Sequence, residues 1–171
     1  MQRGRTAWLA LVSVAFTVAG GPALLVGLGP WLITRWEVEE RAFGFVALRV
    51  MGAVLVAAGL PVLLESIVRF VRVGRGTLVP TVPTETLVVS GLYRFVRNPM
   101  YLAVITMILG EAALFGSAGV LLYAAVVALG FHVFVTGYEE PTLRRTYGAQ
   151  YESYCRAVRR WVPRWRASNL W

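Results

Sequence analysis

The sequence predicts an all-α integral membrane protein with four transmembrane helices, the last two forming a C-terminal helical hairpin, and an amphipathic helix on the cytosolic side. Three observations carry this expectation. Hydrophobic residues make up 57% of the chain and charged ones 15%, with mean hydropathy +0.63, which is too apolar for a soluble domain of 171 residues. The apolar residues fall into four long runs separated by short polar links. The third is charge placement. Arg3, Arg5, Arg69, Arg72, Arg75, Arg94, Arg97 and every arginine from Arg144 to Arg166 fall on one side of a four-span topology, whereas the outer loops hold only Arg35 and Arg41. This positive-inside pattern puts both termini in the cytoplasm. It accounts for the net charge of +8 without a nucleic-acid partner.

The first run extends from Ala7 to about Ile33, with a kink expected at Gly20-Gly21-Pro22. It is too long for a signal-peptide core and reads as a retained span. Trp31 and Trp36 mark an interface, and a polar link from Arg35 to Arg41 leads to a second span, about Ala42 to Val68. That span carries two charges near its ends. Arg49 is expected to snorkel toward the outer surface, and Glu65 stands one turn before Arg69. From Gly74 to Pro83 the chain has no helical period and two prolines, so an extended loop is predicted. The third and fourth spans, Pro99 to about Phe115 and Gly119 to Tyr138, are separated only by Gly116-Ser117-Ala118, which forces an antiparallel pair with Glu111 at the outer surface. Beyond Glu139-Glu140-Pro141, Leu143, Tyr147, Tyr151, Tyr154, Val158 and Trp161 recur at helical spacing, with most arginines off that stripe. This segment reads as an amphipathic helix at the membrane interface, broken at Gly148. The whole is one membrane domain: two N-terminal helices (1–73), a core (74–163) and a tail (164–171).

Candidate chemistry is concentrated at the start of the third span. Asn98 can cap that helix with its side-chain oxygen, Pro99 suits the first helical position, and the N–H groups that follow form an anion site. With one cysteine, one histidine and no aspartate, no metal site is expected. At about 1.5 Å per residue the third and fourth spans cover roughly 26 and 30 Å, so Asn98, Tyr101, Glu139 and Glu140 meet at one depth. His132, Thr136 and Glu139 share one helical face, which is expected to point into the bundle. An anion-favouring helix start opposite two carboxylates is complementary to a zwitterion such as an amino acid.

The run Leu87-Val88-Val89-Ser90-Gly91-Leu92-Tyr93-Arg94-Phe95-Val96-Arg97-Asn98-Pro99-Met100-Tyr101 resembles the isoprenylcysteine carboxyl methyltransferase and phospholipid methyltransferase superfamily. Glu139-Glu140, Leu143, Tyr147-Gly148, Tyr151, Tyr154 and Pro163 follow in the same order, and Gly76-Thr77, Pro80 and Pro83 are also in pattern. The resemblance implies a bacterial-type membrane methyltransferase that uses S-adenosylmethionine, with Glu85, Thr86, Leu87, Val88, Tyr93, Asn98, Pro99, Met100, Tyr101 and Glu139 contacting the cofactor. Asn98 stands where many members have histidine. Val135 stands where the prenylcysteine-methylating branch has arginine, which argues against a prenylcysteine acceptor. Many bacterial relatives read Arg-Val-Pro-Arg where this chain has Ala157-Val158-Arg159-Arg160, so only Arg160 keeps its place.

The implied reaction is in-line methyl transfer to a lipophilic acceptor arriving from the bilayer, in a bacterial inner membrane. A carboxylate acceptor needs no base, whereas an amine or hydroxyl needs one, for which Glu140 and His132 are the candidates. Two other readings remain open at this point: an NADPH-dependent membrane reductase of related fold, and a non-catalytic scaffold. The scaffold reading predicts that arginines such as Arg97 or Arg160 satisfy both Glu139 and Glu140.

Overall fold

A computed structural model describes residues 21–38, 46–74 and 86–166. Most of the first span, most of the loop from Gly74 to Pro83, and Glu85 lie outside the described residues. Helix α1 covers Leu24–Thr34, α2 Val46–Gly74, α3 Pro99–Phe115 and α4 Ala118–Phe134. A π-helical turn, Val135–Glu139, joins α4 without a break to α5, Glu140–Tyr147. Helix α6 follows at Ala149–Ala157.

Two stretches are long and apolar enough to cross a membrane, Val46–Arg69 with 24 residues and Ala118–Tyr147 with 30. Their outer faces expose Val50, Val54, Leu122, Val126 and Leu129, as lipid-facing surfaces do. The protein is an all-α integral membrane protein.

Pro61 lies inside α2, whereas Pro30 and Pro141 each follow a widened turn. In an ordinary α-helix a proline ring clashes with the carbonyl four residues earlier and leaves another carbonyl without its donor. Just before Pro30 the chain widens into a π turn at Leu24–Leu28, where the Gly29 N–H bonds Leu24 O. Pro30 has no N–H to offer the next carbonyl in that register, and the Tyr123 hydroxyl donates to Leu25 O instead, at 3.1 Å. The same device recurs before Pro141, where the Glu140 N–H bonds Val135 O. Helix therefore continues through Pro141 to Tyr147 and does not stop at Tyr138 as the sequence suggested.

Helices α2 and α3 pack antiparallel through small residues. A Cβ at Gly52 would stand 2.5 Å from the Gly110 carbonyl oxygen, and one at Gly59 would stand 2.5 Å from Met107 Cγ. Around this contact Leu63, Ile67, Val104, Met107, Ile108, Val120 and Val127 form the core. Gly116, at φ 69°, ends α3, and Ser117 caps α4 by accepting from the Val120 N–H at 3.4 Å. Glu111 stands near the turn as expected but is only 6% exposed, and α1 packs across α3 and α4, with Trp36 against Phe115. Arg49 is half-buried, and its Nε is enclosed with no partner among the described residues.

The amphipathic segment is broken at Gly148, whose φ is 50°. Its apolar stripe, however, is covered by protein. Tyr151, Tyr154 and Val158 are buried against Leu87 and Val89, so the segment before α3 takes the place that lipid was expected to take.

Candidate functional site

The chain from Val88 to Asn98 reaches α3 through a 3₁₀ turn, Gly91–Arg94, that buries Tyr93. The C-terminal segment clamps this approach. The Arg97 N–H donates to Arg159 O and the Arg164 N–H to Phe95 O, each at 2.9 Å, and the Tyr154 hydroxyl donates to Tyr93 O at 2.8 Å. Burial is the main cause that pushes the Tyr93 phenol pKa up, followed by the charges of Glu139 and Glu65.

Asn98 occupies the position before α3 and Pro99 the first helical position, as expected, but the Asn98 side chain does not cap the helix. Its Nδ2 donates to Arg160 O at 3.1 Å. The clamp explains the difference: it brings a backbone carbonyl against the buried amide, and an unmet carbonyl there would be costly.

Glu139 and Glu140 meet different partners. Arg160 grips Glu140 with a fork, Nε to Oε1 at 2.5 Å and Nη2 to Oε2 at 2.9 Å. Arg97 and Arg144 add contacts of 3.3 and 3.2 Å. The Glu140 side chain is 3% exposed, and burial of this kind is tolerated only with such pairing. The Glu140 carboxylate in turn raises the pKa of Arg160. Arg97 also donates to Cys155 Sγ at 2.6 Å. Glu139 accepts one hydrogen bond, from the Tyr101 hydroxyl at 3.0 Å, and no cation pairs with it among the described residues. Phe131 backs the Tyr101 ring at 4.5 Å.

His132 departs from expectation. The π turn adds one residue to the helix, a rotation of about 100°, so His132 and Glu139 no longer share a face. His132 is exposed, and its Nδ1 accepts from Trp161 Nε1 at 3.2 Å. The neutral ring therefore carries its proton on Nε2 and presents a donor there. The Thr136 hydroxyl is spent on His132 O at 2.7 Å.

Of the remaining residues singled out from the sequence, Thr86 is exposed, Leu87 packs on the Tyr151 cluster, Val88 and Pro99 are buried, and Met100 borders the core. The scaffold reading named Arg97 and Arg160 as partners of the acid pair, and both hold Glu140 but not Glu139, whereas the role of Tyr154 in holding Tyr93 was not legible at all.

The family model described as phospholipid methyltransferase matches residues 47–150, which span α2 to the start of α6 and every side chain of the Tyr101–Glu139 contact. The chain belongs to the phospholipid methyltransferase family. No curated protein and no solved structure matches it. This phospholipid methyltransferase family member is an S-adenosylmethionine-dependent enzyme that acts on a membrane-associated small molecule. Within that setting Glu140 ties the end of the membrane rod to the clamp, while Glu139 is left with an oxygen that no guanidinium claims.

Proposed function

We propose that S-adenosylmethionine binds in a cleft between the start of α3 and the π turn before α5. In it Glu139 receives the cofactor's ammonium, and the N–H groups of Met100 and Tyr101 receive its carboxylate. The observation that carries this reading is the contrast between neighbouring carboxylates: three arginines hold Glu140, whereas Glu139 has one neutral hydroxyl and no cation among the described residues. A scaffold would have both acids neutralised. The donor set fits the cofactor, since the Asn98 side chain is turned to Arg160 O and does not cover the N–H groups opening α3.

Bound there, the cofactor supplies an electrophilic methyl group on a sulfonium. Tyr101 orients the Glu139 carboxylate, Tyr93 and Val88 wall the cleft, and Glu140 with Arg97 and Arg160 keeps the two helix ends together. Leu87 and Thr86 continue the cofactor segment that the resemblance implies, and Glu85 lies outside the described residues. Glu140 is engaged by three arginines and His132 Nδ1 by Trp161, which supports an acceptor that needs no base. Val135 is 1% exposed, which supports an acceptor other than a prenylcysteine. The arginine distribution supports four crossings, with α3 and α4 as the final pair, residues 74–163 as the catalytic core, and both termini in the cytoplasm of a bacterial cell.

The test is incubation of the purified protein in lipid vesicles with methyl-labelled S-adenosylmethionine and a bacterial lipid extract, read by mass spectrometry. Label is expected in an organic-soluble product. Label confined to water-soluble products overturns the lipophilic acceptor, and tighter binding of NADPH than of S-adenosylmethionine overturns the site.

A further inference from the structure

Glu65, near the end of α2, has a carboxylate that the ion pair with Arg69 leaves half used. Arg69 Nε donates to Glu65 Oε1 at 2.5 Å, and Arg69 Nη1 donates to Ser90 Oγ at 3.3 Å. The pair is thereby pinned to the segment that leads into Tyr93. It lies directly on the backbone there: a Cβ at Gly91 would stand 2.5 Å from Glu65 Oε1 and would also collide with the Arg69 guanidinium. Gly91 is also at φ 59°, where glycine is favoured.

Glu65 Oε2, by contrast, is enclosed and has no hydrogen-bond partner among the described residues. A buried carboxylate oxygen without a donor is unfavourable, and arginine commonly satisfies both oxygens with its fork. Here it satisfies one. The pair lies against Ser90 and Gly91, just before Tyr93 in the chain, and the Tyr93 phenol feels the negative charges of both Glu139 and Glu65. Tyr93 therefore has one carboxylate from the α4 to α5 rod and another from α2 within electrostatic reach.

We propose that Glu65 Oε2 is part of the cofactor site and accepts a hydrogen bond from the nucleoside half of S-adenosylmethionine. This rests on the assignment of the cofactor's ammonium to Glu139. With that group taken, the cofactor's remaining donors are the ribose hydroxyls and the exocyclic amine, all on the nucleoside. Arg69 and Ser90 act as positioning residues that fix the carboxylate beside the segment leading to Tyr93.

Isothermal titration of the detergent-solubilised full chain with S-adenosylhomocysteine and with 5′-methylthioadenosine, which lacks the amino-acid half, tests the assignment. Glu65→Gln is expected to weaken both ligands by about tenfold or more, whereas Glu139→Gln weakens S-adenosylhomocysteine and leaves methylthioadenosine within about twofold. Unchanged binding of both ligands to Glu65→Gln, with Glu139→Gln still impaired, overturns the proposal and leaves the Glu139 site standing. Unchanged binding in both variants overturns the Glu139 site as well. Should Glu65→Gln fail to fold, the native protein is titrated with 2′-deoxy, 3′-deoxy and N6-dimethyl analogues of methylthioadenosine. Loss of about tenfold on at least one supports the assignment, and equal binding of all of them overturns it.

Discussion

Glu139 and Glu140 are adjacent in the chain, yet one accepts only the Tyr101 hydroxyl at 3.0 Å and the other is held by Arg97, Arg144 and Arg160. The π turn ends between them, so the two side chains leave the rod toward different neighbours: Glu139 toward α3 and Glu140 toward the clamp.

Glu139→Gln should remove a charge that the fold does not use. Loss of one charge-assisted hydrogen bond is worth about 1.5–3 kcal/mol, or roughly 10- to 100-fold in Kd for S-adenosylmethionine. Calorimetric titration in detergent checks the affinity. Thermal unfolding without ligand is expected to be unchanged.

Glu140→Gln should act in the opposite way. It leaves Arg97, whose side chain is 11% exposed, without its carboxylate, and breaking a buried pair from one side costs about 3–5 kcal/mol. The expected outcome is a large fall in unfolding midpoint, measured in detergent against the native protein.

Asn98 distinguishes capping from clamping. An aspartate is as good a helix cap as asparagine, so a capping role makes Asn98→Asp harmless. The contact with Arg160 O requires a donor, and a carboxylate set against that carbonyl would be repelled. Asn98→Asp is therefore expected to lose more stability than Asn98→Ala, which forfeits about 1 kcal/mol. Chemical unfolding of the two variants side by side gives the order.

Gly52→Ala should separate α2 from α3. The added methyl would meet the Gly110 carbonyl and the Leu114 backbone, which cannot move aside as a flexible side chain does. Overpacking of this kind costs about 1–3 kcal/mol. Gly130→Ala, with open space around its Cβ position, is the control expected to unfold like the native protein.

Much of this architecture was written in local sequence. The apolar run lengths set α2, α3 and α4, Pro99 fixed the start of α3, and Gly116-Ser117 set the turn, because each depends on residues within a few positions of one another. Pro141 also carried a signal, but it read as a helix end because a π turn that absorbs a proline is rare. The depth at which Tyr101 meets Glu139 followed from counting residues along two helices of known rise. What the tertiary structure alone decided was which polar group answers which. Asn98 bonds to Arg160 across 62 positions, and Arg160 holds Glu140 across 20, leaving the neighbouring Glu139 without a cation. Local sequence constrains the backbone through sterics and helical period, whereas the partner of a buried charge is chosen by whichever donors the packed helices bring within about 3 Å of it.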